Sequence, residues 1–150
     1  MKISLHTIIG LISIVLGGVI YVLFRDQSLL MFSWFDVIGL TPVIVSARDI
    51  VSPISLIIPK WFFFSLPNSM WAFGGILLFC CIWRDCILEK TLWIFVFLCI
   101  SIGSEIGQLV GSIPGTYDPT DMVLMVIFIL LAIFIGNTQN GRGERDAEII

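Results

Sequence analysis

Apolar residues in this chain come in long blocks, broken by short groups of charged and turn-forming residues. A transmembrane helix needs about 20 apolar residues at ~1.5 Å per residue. Four blocks meet that length, at positions 7–24, 66–83, 91–112 and 119–136. They predict an all-α integral membrane bundle of four transmembrane helices, one domain over 1–136. A fifth stretch, 29–47, is nearly long enough but holds Asp36 and Pro42. It belongs to a loop, 25–65, whose Asp36, Arg48, Asp49 and Lys60 do not suit the bilayer midplane. The loop is therefore expected to lie in the outer interface or to fold back over the helices. Residues 137–150 are a polar tail.

Charge along the chain separates four spans from five. With four spans and a cytoplasmic N-terminus, the inside holds Lys2, Arg84, Lys90, Arg142 and Arg145. With five, it keeps only Lys2, Arg48 and Lys60. The positive-inside rule selects four, with both termini cytoplasmic. Trp83 and Trp93 bracket the short inner loop, and Trp61 precedes the outer end of the second span, at headgroup level. The first block is longer than a signal-peptide core of ~7–15 residues and no small-x-small site follows it, so it reads as an uncleaved helix.

Composition agrees with the block pattern. The chain is 58% hydrophobic and 13% charged, against roughly 25% charged in soluble domains. Its mean hydropathy is +1.06. A net charge of −3 without a basic patch gives no nucleic-acid partner. Cys80, Cys81, Cys86 and Cys99 show no C-x-x-C spacing and read as small apolar side chains. His6 is the only histidine, at the cytoplasmic edge. No metal site or cofactor is expected, and there is no phosphate loop or G-x-S-x-G elbow.

Candidate chemistry concentrates in the third and fourth spans. On a helix, Ser101, Ser104, Glu105, Gln108 and Ser112 share a stripe. Gly103, Gly107 and Gly111 form a GxxxGxxxG stripe beside it that allows close helix approach. Its expected partner is the second or the fourth span, the second offering a matching thin surface at Asn68, Ala72 and Gly75, with a homo-oligomer seam as the alternative. Glu105 lies within the span, where an unpaired ionisable group costs roughly 2.5–3.5 kcal/mol at the centre. Two explanations stand for it: a carboxyl held by Gln108 and a serine, or a site open to the outer face. Pro114-Gly115 signals a turn. Asp118 and Pro119 open the last helix as N-cap and N1, with Asp121 at N3. At the same outer level lie Asn68 and Ser69 of the second span. The candidate ligand-binding set is thus Glu105, Gln108, Asp118, Asp121, Asn68, Ser69 and Arg48. Arg25, Arg48 and Lys60 are the available counter-charges, and Arg48 is the expected partner of Glu105.

The order Glu105-x-x-Gln108, a short outer turn, then Asp118-x-x-Asp121 resembles the VanZ-like family of small bacterial membrane proteins. The four-span plan with a long outer loop is similar as well. The family carries an arginine in the turn, where this chain has Ser112-Ile113-Pro114-Gly115-Thr116. It also has an asparagine and a glycine in the final helix, where Met125 and apolar residues stand here. The resemblance implies a bacterial inner-membrane protein of envelope or antibiotic stress, the family's founding association being low-level resistance to teicoplanin. The leading reading is a non-enzymatic protein whose outer-leaflet pocket binds a lipid-linked or amphiphilic headgroup. The alternative is an anchor or sensor subunit, oligomerising through the Gly103/Gly107/Gly111 stripe and recruiting a cytosolic partner through its tail. A third reading, acid–base catalysis by Glu105 and Asp121, lacks a nucleophile or metal.

Overall fold

The computed structural model describes residues 4–113 and 117–138. Lys2, the turn at Pro114-Gly115 and the tail from residue 139 onward lie outside the described residues. Among the described residues the chain is all-helical and has no strand. Four longer helices are α1 (Leu5–Phe24), α5 (Leu66–Ile82), α6 (Ile87–Leu109) and α7 (Pro119–Thr138). Between α1 and α5 come α2 (Leu30–Val37), α3 (Thr41–Val51), a 3₁₀ turn (Ser52–Leu56) and α4 (Lys60–Phe64). Three helices, α1, α6 and α7, are long and apolar enough to cross a membrane, while α5 has 17 residues. The lipid-compatible surface is plain: Phe95 is 62% exposed and Phe134 70%.

Helix α5 is the centre of the bundle. Buried positions recur all round it, at Pro67, Ser69, Ala72, Phe73, Gly74, Ile76, Leu77 and Cys80, as a helix enclosed by its neighbours requires. Against it, α1 runs antiparallel: Gly10 meets Gly74 and Leu78, while Gly17 meets Pro67 and Trp71. Here a backbone-to-backbone approach makes small residues necessary. A Cβ on Gly74 would lie 2.6 Å from the Gly10 carbonyl oxygen. Two side chains then stitch the pair, Ser13 Oγ donating to the Met70 carbonyl at 3.0 Å and Trp71 Nε1 to the Ile14 carbonyl at 3.1 Å. In membrane proteins such interhelical bonds average about 0.6 kcal/mol each.

Helix α7 runs parallel to α5, pairing Phe128 with Phe73 and Gly136 with Cys80. Its buried stripe is Asp121, Met125, Ile129, Ala132 and Gly136, at spacings of three and four. Helix α6 runs antiparallel to α5, with Phe97 over Gly75 and Trp93 stacked on Trp83 at 5.7 Å. It is the least enclosed of the four, and only Lys90 and Glu105 are buried along it.

The expected glycine seam on α6 is not what closes the bundle. Nothing lies within 4 Å of a Cβ built on Gly103 or Gly111, and Gly107 is covered by Ile113 of its own turn. Gly111 has φ +72°, and its role is local. Ser112 N–H donates to the Gly107 carbonyl at 2.8 Å and Gly111 N–H to the Gln108 carbonyl at 3.1 Å. That is a Schellman termination, which needs the left-handed residue. It ends α6 at Leu109, three residues before the expected boundary and upstream of Pro114. Of the expected partner surface, Ala72 is buried and Gly75 does face α6, but across a phenylalanine ring rather than another glycine.

Candidate functional site

At the end of the bundle where α6 stops and α7 begins, a cavity of about 660 Å³ opens among five helices and the two residues that lead into α7. Helix α6 supplies Glu105 and Gln108, one helical turn apart on one face. Helix α7 and its lead-in supply Tyr117, Asp118, Pro119 and Asp121. Asn68 comes from α5, Tyr21 and Arg25 from the end of α1, and Lys60, Trp61 and Phe64 from α4. Five of the seven predicted ligand-binding residues, Glu105, Gln108, Asp118, Asp121 and Asn68, therefore share one cavity wall.

Two carboxyl groups are set deep in that wall. Glu105 is 3% exposed and Asp121 8%, and Glu105 Oε2 and Asp121 Oδ1 are each buried without a hydrogen-bond partner. Of the serines near Glu105 on its own helix, Ser104 donates instead to the Ser101 carbonyl at 2.8 Å. Asp121, Asp118 and Arg25 all lie within electrostatic range of Glu105. Asp121 is there because it heads the buried stripe of α7, one turn above Met125. Asp118 has a local duty, its Oδ1 accepting the Thr120 N–H at 2.8 Å as an N-cap should.

Two predicted residues fall outside the cavity. Ser69 is fully buried and its hydroxyl donates to the Ser65 carbonyl at 3.1 Å, so it is spent on its own helix. Arg48 does not line the cavity either. Its guanidinium donates to the Val22 carbonyl at 2.8 Å and the Arg25 carbonyl at 2.7 Å, and lies over the Phe32 ring. The expected Glu105–Arg48 pair is thereby replaced. The last carbonyls of a helix have no intrahelical partner, and a planar fork of N–H donors satisfies two of them at once.

The cations that do line the cavity are Arg25 and Lys60. Arg25 rests 5.3 Å from the ring centroids of both Tyr21 and Phe64. Its backbone is fixed on both sides, the N–H bonded to Tyr21 and the carbonyl to Arg48. Of the three expected counter-charges, Arg25 and Lys60 line the cavity and Arg48 does not, and the aromatic lining is an addition to the expected set. The signal was the pair Tyr21 and Arg25, spaced i and i+4 at the end of the first block. At the rim, Asp26 accepts the Ser28 N–H at 2.8 Å, which holds its carboxyl below the usual carboxylate range. The described residues contain no group of three or more His, Cys, Asp or Glu placed to hold a metal ion.

No protein-family model, curated protein or solved structure matches this chain.

Proposed function

We propose that this chain is a multi-pass protein of the bacterial inner membrane whose cavity, facing the outer leaflet, binds the headgroup of a lipid-linked or amphiphilic molecule. The observation that carries the reading is that Glu105 and Asp121, each with a carboxyl oxygen buried without a protein partner, both line a cavity of about 660 Å³. A buried acceptor left unpaired costs about 1–3 kcal/mol, and more when charged, so a wall built this way favours a ligand that donates to it. Ligand pockets fall in the range of about 300–1,000 Å³. The VanZ-like order of the Glu-x-x-Gln and Asp-x-x-Asp pairs supports the same reading, since all four residues meet in one cavity. A role in envelope or antibiotic stress follows from that resemblance. In this reading α5 crosses the membrane with the other three helices, and both termini are cytoplasmic.

The test is mass spectrometry of lipids retained by the purified protein. A headgroup enriched over the bulk membrane is expected, and Glu105→Gln should reduce the enrichment. Retention that mirrors bulk lipid would sink the pocket.

A second reading rests on α6, whose Gly103 face has nothing packed on it. There the chain is an anchor that assembles through this face and recruits a cytosolic partner through residues 137–150. Deleting the tail separates the two, because a pocket protein keeps its lipid retention and an anchor loses its partner.

A further inference from the structure

The pocket reading leaves the headgroup unspecified, and the cavity lining is chemically asymmetric. Four acids line it, Asp26, Glu105, Asp118 and Asp121, against two bases, Arg25 and Lys60. The acids with a buried, unpartnered carboxyl oxygen come from α6 and α7; the bases come from the end of α1 and from α4. We propose that the pocket takes a phosphorylated primary amine, its ammonium seated between Glu105 and Asp121 and its phosphate at Arg25 and Lys60. The inference rests on the pocket reading and names the ligand class for the same site.

Three features lead to it. An ionised carboxylate only accepts, and an ammonium brings three donors, enough for acceptors on two helices and a third neighbour such as Gln108. Buried charges persist when they are paired, and the excess of acids over bases calls for a cation on the ligand. Trp61 and Tyr117 line the same cavity, and aromatic rings attract cations. Arg25 is held by ring faces, which leaves its planar N–H edge for a phosphate. A bare metal ion is the poorer fit, because Glu105 and Asp121 do not converge with a third ligand among the described residues. A neutral polyol would donate to the carboxyl groups but bring no charge to either end of the cavity. The lipid form of this chemistry is a phosphatidylethanolamine headgroup, and the soluble form is phosphoethanolamine.

The full chain is purified from vesicles of equal parts phosphatidylethanolamine, phosphatidylcholine and phosphatidylglycerol with matched acyl chains, and the retained lipid is quantified. Phosphatidylethanolamine should be enriched about tenfold over phosphatidylglycerol, the worth of one charge-assisted hydrogen bond. Asp121→Asn should abolish that preference, and Arg25→Gln should lower retention of all three lipids. Equal enrichment of phosphatidylcholine, whose trimethylammonium cannot donate, would overturn the ammonium seat. Enrichment of phosphatidylglycerol would also overturn it while leaving the pocket reading intact. Retention without any headgroup preference overturns both. Should Asp121→Asn not fold, the wild-type lipid preference decides alone. Adding soluble phosphoethanolamine assigns the source, since displacement of the retained lipid points to the free compound and resistance to displacement points to the lipid.

Discussion

The two classes of glycine in this chain make opposite demands. Gly74 sits where two backbones meet, and an added methyl would meet the Gly10 carbonyl oxygen and Ile14 Cγ1, each at 2.6 Å. Neither can move without opening the α1–α5 seam, so Gly74→Ala should cost about 1–3 kcal/mol, the usual range for overpacking. Gly103 has open space around it, and Gly103→Ala should leave stability unchanged or raise it by up to ~1 kcal/mol through helix propensity. Reversible unfolding of both variants in mixed micelles measures the difference. A destabilised Gly103→Ala would mean that a second copy packs on this face, and the monomeric picture of α6 would have to be given up. The sequence offered GxxxGxxxG as the conspicuous packing signal, yet the functional seam is the irregular set Gly10, Ser13 and Gly17. Spacing reveals which small residues share a face, but which face meets a neighbour is decided by tertiary contacts that spacing does not contain.

At the level of elements, most of the bundle was legible because apolar length and turn chemistry are local. The start of α7 at Asp118-Pro119 was read from capping preference alone, and the Asp118–Thr120 bond is its physical cause. The end of α6 comes earlier than Pro114-Gly115 predicts, because Gly111 already supplies the left-handed residue. The link from loop to bundle was not legible. Arg48 sits on α3, far along the chain from α1, and only the fold reveals that its guanidinium closes the α1 C-terminus. Removing it should loosen that end. Arg48→Gln is expected to lose about 2 kcal/mol, from charge-assisted bonds worth about 1.5–3 kcal/mol. Arg48→Lys should recover little of that, because a single ammonium cannot span the Val22 and Arg25 carbonyls as a planar fork does. Because Arg48 also fixes the carbonyl of Arg25, lipid retention should fall together with stability. An Arg48→Gln protein as stable as the wild type would remove the clamp from this account.

For the whole molecule the physical question is whether the 17-residue α5 crosses with the three longer helices. At ~1.5 Å per residue α5 spans about 26 Å, against a hydrocarbon core of ~30 Å. Its burial offers a solution, since a helix enclosed on all sides meets protein rather than lipid and its neighbours carry the hydrophobic match. The directions agree: α5 is antiparallel to α1 and α6 and parallel to α7, as four successive crossings require. Cysteine accessibility decides it. Cys86 is exposed between α5 and α6, on the side predicted to be cytoplasmic. A membrane-impermeant maleimide should label it in inverted vesicles and not in intact spheroplasts. In a background lacking the native cysteines, Asp118→Cys should show the reverse, because α6 separates the two positions. Ile57→Cys, at an exposed site just before α4, should behave like Asp118→Cys if α5 crosses. Labelling of Ile57→Cys from the same side as Cys86 would make α5 a re-entrant helix, and the cavity would then lose the outer-leaflet address on which the headgroup proposal depends.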